Sequence, residues 1–192
     1  MLTQPLHHLV NSVYPLPDED WLEFESLWKP YSAKRKDVIT SAGECEKYLY
    51  FVLEGVQRVY YLDDQNREAT VVFTYTPSFG GVLNSMMLQQ PSKYYYEALT
   101  PSSFLRTRYD DVLDLMHRRH SVESFVRVGL SGVLSGLMER LVELQCFSSE
   151  EKFRKLLQRS PHILHLVPHK YLANYLGIDA TNFSKFINKI KI

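Results

Sequence analysis

The segment from Pro168 to Ile190, PHKYLANYLGIDATNFSKFINKI, limits what the chain can fold into more than any other. Leu172, Ala173 and Leu176 fall on one face of a short helix. Gly177 follows where a turn needs a residue that enters positive φ without steric cost. Ile178 is apolar and tucks under the turn, and Asp179 is placed to cap a second helix, with Asn182 three residues on. Phe183, Phe186, Ile187 and Ile190 then recur at helical spacing. Small Ala173, four residues before the glycine, allows a close crossing, and Phe183, six after it, fills the angle. This is the pattern of a helix-turn-helix that sets its second helix into a DNA major groove. An ordinary αα-hairpin with a solvated outer face shares much of it.

The outward positions of the second helix are small, polar or basic. Thr181, Ser184, Lys185 and Asn188 are the expected base-reading residues, with Ala180 against a thymine methyl. Lys170 and Lys189 are the expected phosphate contacts, and Lys191 lies behind them. A net charge of zero argues against a nucleic-acid partner only until the chain is divided. Residues 1–147 carry 14 Lys and Arg against 19 Asp and Glu, a net −5. Residues 148–192 carry 8 against 3, a net +5, so the basic charge is gathered on the end that holds the helix pair.

A chain of 192 residues fits one or two domains with a real core. No run is apolar enough to span a membrane, so no membrane partner is expected. The start, MLTQPLHHLVNSV, lacks the basic and apolar regions of a signal peptide. Cys45 and Cys146 make neither a disulfide framework nor a thiolate metal site. Together these predict a cytoplasmic protein.

Residues 1–31 are mixed; Asp18 is placed to cap a helix DEDWLEFESLW with an apolar stripe of Trp21, Leu22, Phe24, Leu27 and Trp28. It reads as a lid without chemistry. Residues 32–107 read as short strands with regular turns: Tyr48 to Leu53, Val56 to Leu62, Ala69 to Tyr75, Tyr94 to Leu99 and Ser103 to Arg108. Gly43, Glu54-Gly55 and the polar stretch Asp63 to Arg67 break them, and a short helix is expected over Val82–Met87. That spacing predicts a β-barrel or jelly roll. No histidine lies between His8 and His117, so the barrel has no histidine ligand for a metal and no histidine to activate a nucleophile. No catalytic residues, metal or cofactor are therefore expected, and the barrel reads as a binding module.

Residues 109–146 are helical, with Tyr109 to His117 first and Ser121 placed to cap the next helix. Val126, Leu130, Val133, Leu137, Leu141 and Leu144 recur at three- and four-residue spacing, a narrow seam of the coiled-coil type. Gly129, Gly132 and Gly136 lie among them and suggest close backbone approach to another element. One reading packs this helix on its own barrel; the other pairs it with a second copy, which suits palindromic DNA. Next comes SSEEKFRKLLQRSP, with Ser148 and Glu151 in a capping-box pattern, an apolar face of Phe153, Leu156 and Leu157, and Pro161 as the stop. Phe147-Ser148 is the expected domain boundary.

Strand-rich barrel, long helix and helix-turn-helix, in that order, resemble the Crp–Fnr family of transcription regulators. YLYFVLEGVQRVYY, residues 48–61, looks like that family's central β-hairpin with Gly55 at its turn. SSEEKFRKLLQRSP followed by VPHKYLANYLGIDATNFSKFINKI resembles the C-terminal half of members from Bacteroidetes. The resemblance implies an α+β fold: a cyclic-nucleotide-binding-like jelly-roll barrel over residues 1–120, a dimerisation helix over 121–147 and a helix-turn-helix domain over 148–192, without an evident wing. It also implies double-stranded DNA and a second copy of the chain as partners, with RNA polymerase and a small-molecule effector as further candidates.

The departures are specific. The family's cyclic-AMP binders open a phosphate cassette with Phe-Gly-Glu and supply an arginine about a dozen residues later. Here the start is Phe79-Gly80-Gly81, and Pro91-Ser92-Lys93-Tyr94 stands where the arginine belongs. Lysine brings charge without bidentate geometry, so tight cyclic-AMP binding is not expected. Gly80, Gly81, Ser92 and Lys93 are the candidate effector residues; turn residues and a solvated lysine would look the same. The cysteines of the iron–sulfur members and the N-terminal features of the haem members are absent. The reading is a transcription regulator that is a homodimer and not an enzyme. The alternative is a ligand-binding barrel protein whose helix pair no longer meets DNA.

Overall fold

The computed structural model describes residues 2–189, the last by its backbone alone. Two helices, α1 (Gln4–Val13) and α2 (Asp18–Ser26), precede strands β1 (Lys29–Ala33), β2 (Val38–Thr40), β3 (Tyr48–Glu54), β4 (Val56–Leu62), β5 (Glu68–Tyr75) and β6 (Ser78–Gly80). Helix α3 (Leu83–Leu88) leads to β7 (Tyr94–Ala98) and β8 (Ser102–Arg108). Helices α4 (Tyr109–Arg118), α5 (His120–Cys146), α6 (Ser149–Arg159), α7 (Ile163–Leu166), α8 (His169–Leu176) and α9 (Ala180–Lys189) follow. The strands form two antiparallel sheets, ordered β1-β8-β3-β6 and β2-β7-β4-β5, which make the expected jelly roll.

Side-chain alternation gives the first sheet two working faces. Phe51 and Leu105 turn outward into a core with Leu6, Val10, Trp21, Phe24, Trp28, Val112 and Phe125. Tyr50, Val52 and Phe104 turn inward with Val59, Val82, Tyr96 and Ala98. The N-terminal helices therefore do cover the barrel, although Leu22 of the expected stripe is 63 % exposed. Helix α1 went unread in the sequence; Leu6, Leu9, Val10 and Val13 carry its periodicity, behind Pro5 in its first turn.

Several local expectations need correction. Asp18 does not cap α2 but opens it: Pro17 stands at the cap, and Asp18, Glu19 and Asp20 place negative charge on the first turn, where the helix dipole favours it. Ser121 lies inside α5, whose cap is Arg119, and its hydroxyl donates to Asp20 instead. Helix α3 begins and ends one residue later than expected, and the three-residue strand β6 was missed.

Residues 48–61 are not a hairpin. Strand β3 pairs with β6 and β8, whereas β4 pairs with β5 and β7, so the chain changes sheets at Gly55. Gly55 has φ 88°, and a Cβ there would lie 2.5 Å from the Pro101 carbonyl oxygen. Only glycine makes that corner without displacing backbone. The hairpin is the next pair, β4–β5, turned through Asp63–Arg67; the Asp63 carboxylate accepts the amides of Gln65 (2.9 Å) and Arg67 (2.8 Å).

Candidate nucleic-acid interface

The C-terminal helices are built by local signals. Ser148 and Glu151 form the capping box that opens α6, and α6 stops at Arg159, two residues before Pro161. After α8, Gly177 takes φ 61°, its N–H donates to Asn174 O (3.0 Å) and the Ile178 N–H to Ala173 O (2.9 Å). These satisfy helix-terminal carbonyls as a glycine C-cap does. Asp179 Oδ1 then accepts the N–H groups of Thr181 (2.8 Å) and Asn182 (3.3 Å). Those amides of Asn182 and Thr181 hold its carboxyl below its ordinary value.

The apolar residues of this segment are spent inside. Phe153, Leu156, Ile163, Val167, Leu172, Ala173, Leu176, Ile178 and Phe183 form one buried cluster, with Phe153 and Phe183 edge to face at 5.2 Å. Phe186 and Ile187 pack against it, partly buried. Outward on α9 are Ala180, Thr181, Ser184, Lys185 and Asn188, all exposed, with exposed Asn182 on the flank. The expected reading residues therefore share one free face. The Ser184 hydroxyl donates to Ala180 O (3.0 Å), one turn back. Lys170, on α8, is exposed with its ammonium 4.5 Å from the Tyr171 ring centroid. The Lys189 side chain and residues 190–192 lie outside the described residues.

The seam on α5 divides. At its N-terminal end Val122 and Phe125 are buried on the barrel side, and Val126 packs beside them. Beyond that, Val133, Leu134, Leu137, Met138, Leu141 and Val142 each leave 46–61 % of their surface exposed, and Leu144 39 %. A contiguous apolar face of this kind is unusual on a free surface. A Cβ on Gly132 or Gly136 would meet no described atom within 4 Å, and one on Gly129 would meet only Val13, at 3.9 Å. Close backbone approach at these glycines is thus not made among the described residues. Leu130 is half-buried.

The candidate effector residues meet a filled barrel. Tyr96 is fully buried; its hydroxyl lies 3.0 Å from Thr74 Oγ1, and its ring leaves no room for a Cβ on Gly80. Gln57, also fully buried, donates to Ser102 Oγ (2.9 Å) and accepts from Thr74 (2.9 Å). Gly81 sits against the Tyr48 carbonyl and the Glu46 carboxylate. That carboxylate accepts the Thr40 hydroxyl (2.5 Å), the Tyr48 amide (3.1 Å) and the Val82 amide (3.3 Å), which opens α3. A carboxyl group of the protein itself thus occupies the amide at the start of α3. Ser92 is buried and spends its hydroxyl on Tyr94 O (2.7 Å), while Lys93 is exposed.

Sequence reasoning missed how α8 docks on the barrel. Asn174 Oδ1 accepts the Thr70 amide and its Nδ2 donates to Glu68 O, both at 2.6 Å, so one carboxamide covers the free edge of β5 as a strand would. Buried Arg58 pairs with Glu68 (2.6 Å) and Glu97 (2.8 Å) and lies between the rings of Tyr60 and Tyr171, 4.0 and 3.9 Å from their centroids. Arg140 of α5 stacks on Tyr175 at 3.7 Å and donates to its carbonyl. The only hint was an arginine inside the apolar run VQRVYY.

Among the described residues no group of three His, Cys, Asp or Glu is placed to hold a metal ion, and no helix is long and apolar enough to cross a membrane.

Residues 31–119 match the cyclic nucleotide-binding domain family. No curated protein matches the chain. Among solved structures, FixK2 from Bradyrhizobium japonicum superposes with a TM-score of 0.75 at 15 % identity, over 84 % of this chain and 83 % of that one. The c-di-GMP responsive global regulator CLP of Xanthomonas campestris gives 0.67 at 14 %, over 90 % and 91 %. The catabolite activator protein of Thermus thermophilus gives 0.57 at 20 %, over 90 % and 83 %. Barrel and C-terminal helices together thus have a fold that these proteins share.

Proposed function

We propose that this chain, with its cyclic nucleotide-binding domain and the fold of FixK2, CLP and the catabolite activator protein, is a homodimeric, DNA-binding transcription regulator of the Crp–Fnr type. The observation that carries the reading is the α8–α9 pair. Its apolar residues are buried, both ends of its turn are capped, and the outer face of α9 offers Ala180, Thr181, Ser184, Lys185 and Asn188 to solvent. Such a face enters a major groove, where Thr181, Ser184, Lys185 and Asn188 read base edges and Lys170 and Lys189 hold phosphates. Residues 1–120 act as the sensor unit, 121–147 as the pairing helix and 148–192 as the reader.

The exposed face of α5 supports pairing of two copies about a two-fold axis, with Val133, Leu137, Leu141 and Leu144 in the seam and Gly132 and Gly136 allowing close approach. The operator is then a palindrome with half-sites about one helical turn, roughly 10 base pairs, apart. Cyclic AMP is not the effector. The Glu46 carboxylate stands at the opening of α3, and the tyrosine-filled interior leaves Gly80 and Gly81 against protein atoms. RNA polymerase as a partner, a cytoplasmic location and kinship with the Bacteroidetes members belong to the same proposal.

The test is selection of genomic DNA fragments by the purified protein at two salt concentrations, followed by sequencing. Enrichment of a two-fold-symmetric sequence whose binding weakens steeply with salt is the expected result. Recovery of unselected fragments at both salts, from protein shown to be dimeric and folded, would overturn it.

A further inference from the structure

A cleft of about 520 Å³ lies where the barrel meets the C-terminal helices, and among the described residues its lining includes none from α9. This is within the size range of small-molecule sites, roughly 300–1,000 Å³. One wall is the β1–β2 loop with Arg35 and the β7–β8 turn with Leu99; the other is α7 and the start of α8, with Leu164, His165, Val167 and His169. Leu99 and Val167 are buried and form an apolar floor, with Leu164 half-buried beside them. Arg35, His165 and His169 are exposed at the rim.

The chemistry of this lining is one-sided. No acidic residue lines the cleft. Among the described residues neither Arg35 nor His165 nor His169 is in an ion pair. Arg35 belongs to the run Lys34-Arg35-Lys36, on the part of the chain that is otherwise net acidic. The one carboxylate beside that run, Asp37, accepts the Lys34 amide at 2.7 Å and so is spent on its own loop. Both walls are held. The Lys36 amide donates to Ala98 O (2.7 Å) and the Ala98 amide to Asp37 O (3.0 Å), which pins the loop to β7. Opposite, the Val167 amide donates to Ile163 O (3.0 Å) and the Tyr171 amide to Pro168 O (2.9 Å).

We propose that this cleft is a binding site for a small organic phosphate: a phosphate group held by Arg35 and the imidazole N–H groups of His165 and His169, with an apolar body on Leu99 and Val167. Guanidinium and imidazole donors match phosphate oxygens, and a guanidinium does so bidentately. The floor decides against a nucleic-acid backbone, because a phosphodiester chain has no apolar body to cover it. The ligand touches the barrel with one side and the opening of α8 with the other, so its binding stiffens the junction between them. The site stands whether or not the helix pair reads DNA, and its test needs no DNA.

The probe is phenyl phosphate, titrated into the full chain at constant pH while the histidine ring Cε1–H resonances are followed. His165 and His169 are expected to shift together and saturate, while exposed His8 does not move. Arg35→Gln, a substitution at an exposed side chain, is expected to weaken binding roughly tenfold or more, the scale of a lost charge-assisted hydrogen bond. Inorganic phosphate, which leaves the floor bare, is expected to bind more weakly. The proposal falls if the two resonances do not saturate, if Arg35→Gln binds phenyl phosphate as the wild type does, or if inorganic phosphate binds equally well. It falls too if Arg35→Gln weakens binding to duplex DNA while phenyl phosphate shifts nothing, since the rim is then a backbone contact.

Discussion

Lys185 stands on the outer face of α9, one turn after Thr181 and clear of the cluster around Phe183. As a base-reading residue it has a defined signature. Lys185→Ala is expected to cost roughly 1–3 kcal/mol on the selected operator and less on random duplex, measured as a pair of dissociation constants. Equal losses would make it a phosphate contact. Glu46 offers a test inside the barrel. Burial pushes its carboxyl above its ordinary value, against the pull of the Thr40 hydroxyl and the Tyr48 and Val82 amides. A raised pKa means that the folded state favours the neutral form. The stability this group contributes is full below the ordinary value of 4.5 and is lost as pH rises through the raised value. Glu46→Gln, always neutral, is therefore expected to gain in melting temperature relative to the wild type on going from about pH 4 to about pH 7. A constant difference across that range would show that the carboxyl is not strained by burial. Both residues were visible in the sequence, but only Lys185 had a pattern around it. Nothing local marks Glu46, because its amide and hydroxyl partners come from residues 40, 48 and 82.

The turn between α8 and α9 and the start of α9 were legible almost to the residue, since they rest on neighbours in sequence. Gly177 shows why. Its φ of 61° is a conformation L side chains avoid, while the space beside it is ordinary, with Leu144 at 3.8 Å from an added Cβ. Gly177→Ala is thus expected to destabilise by about 1–2 kcal/mol through backbone strain alone, measured by urea denaturation. The docking of α8 on β5 is the opposite case. No local pattern in the sequence marks Asn174, yet it bonds both Glu68 and Thr70 of the strand. Asn174→Ala is expected to cost about 1–3 kcal/mol, because it leaves a strand amide and a carbonyl without their partner. It is also expected to speed hydrogen exchange at the Thr70 amide, whereas exchange unchanged at Thr70 would place the docking elsewhere.

At the scale of the molecule, the unpartnered face of α5 carries an expectation of its own. Leu137→Glu puts a charge where the seam would pair, at a side chain that is half exposed in the single chain. The variant is expected to sediment as a folded monomer with unchanged helix content, and a dimer that survives it would move the pairing surface elsewhere. The sequence by itself determined the parts. Period-two and period-3.6 alternation set the strands and helices, caps and glycines set their ends, and the charge split set which end could meet an anion. These depend on residues close in the chain, so a linear reading suffices. Only the tertiary structure decided what the parts touch. It separated β3 from β4 into different sheets at Gly55, filled the barrel with Tyr96 and Gln57, and brought Arg58, Glu68 and Tyr171 together. It also set Arg35 across a cleft from His165. Alternation tells a strand which face is inside but not which strand lies beside it, and each of these contacts is a choice of neighbour.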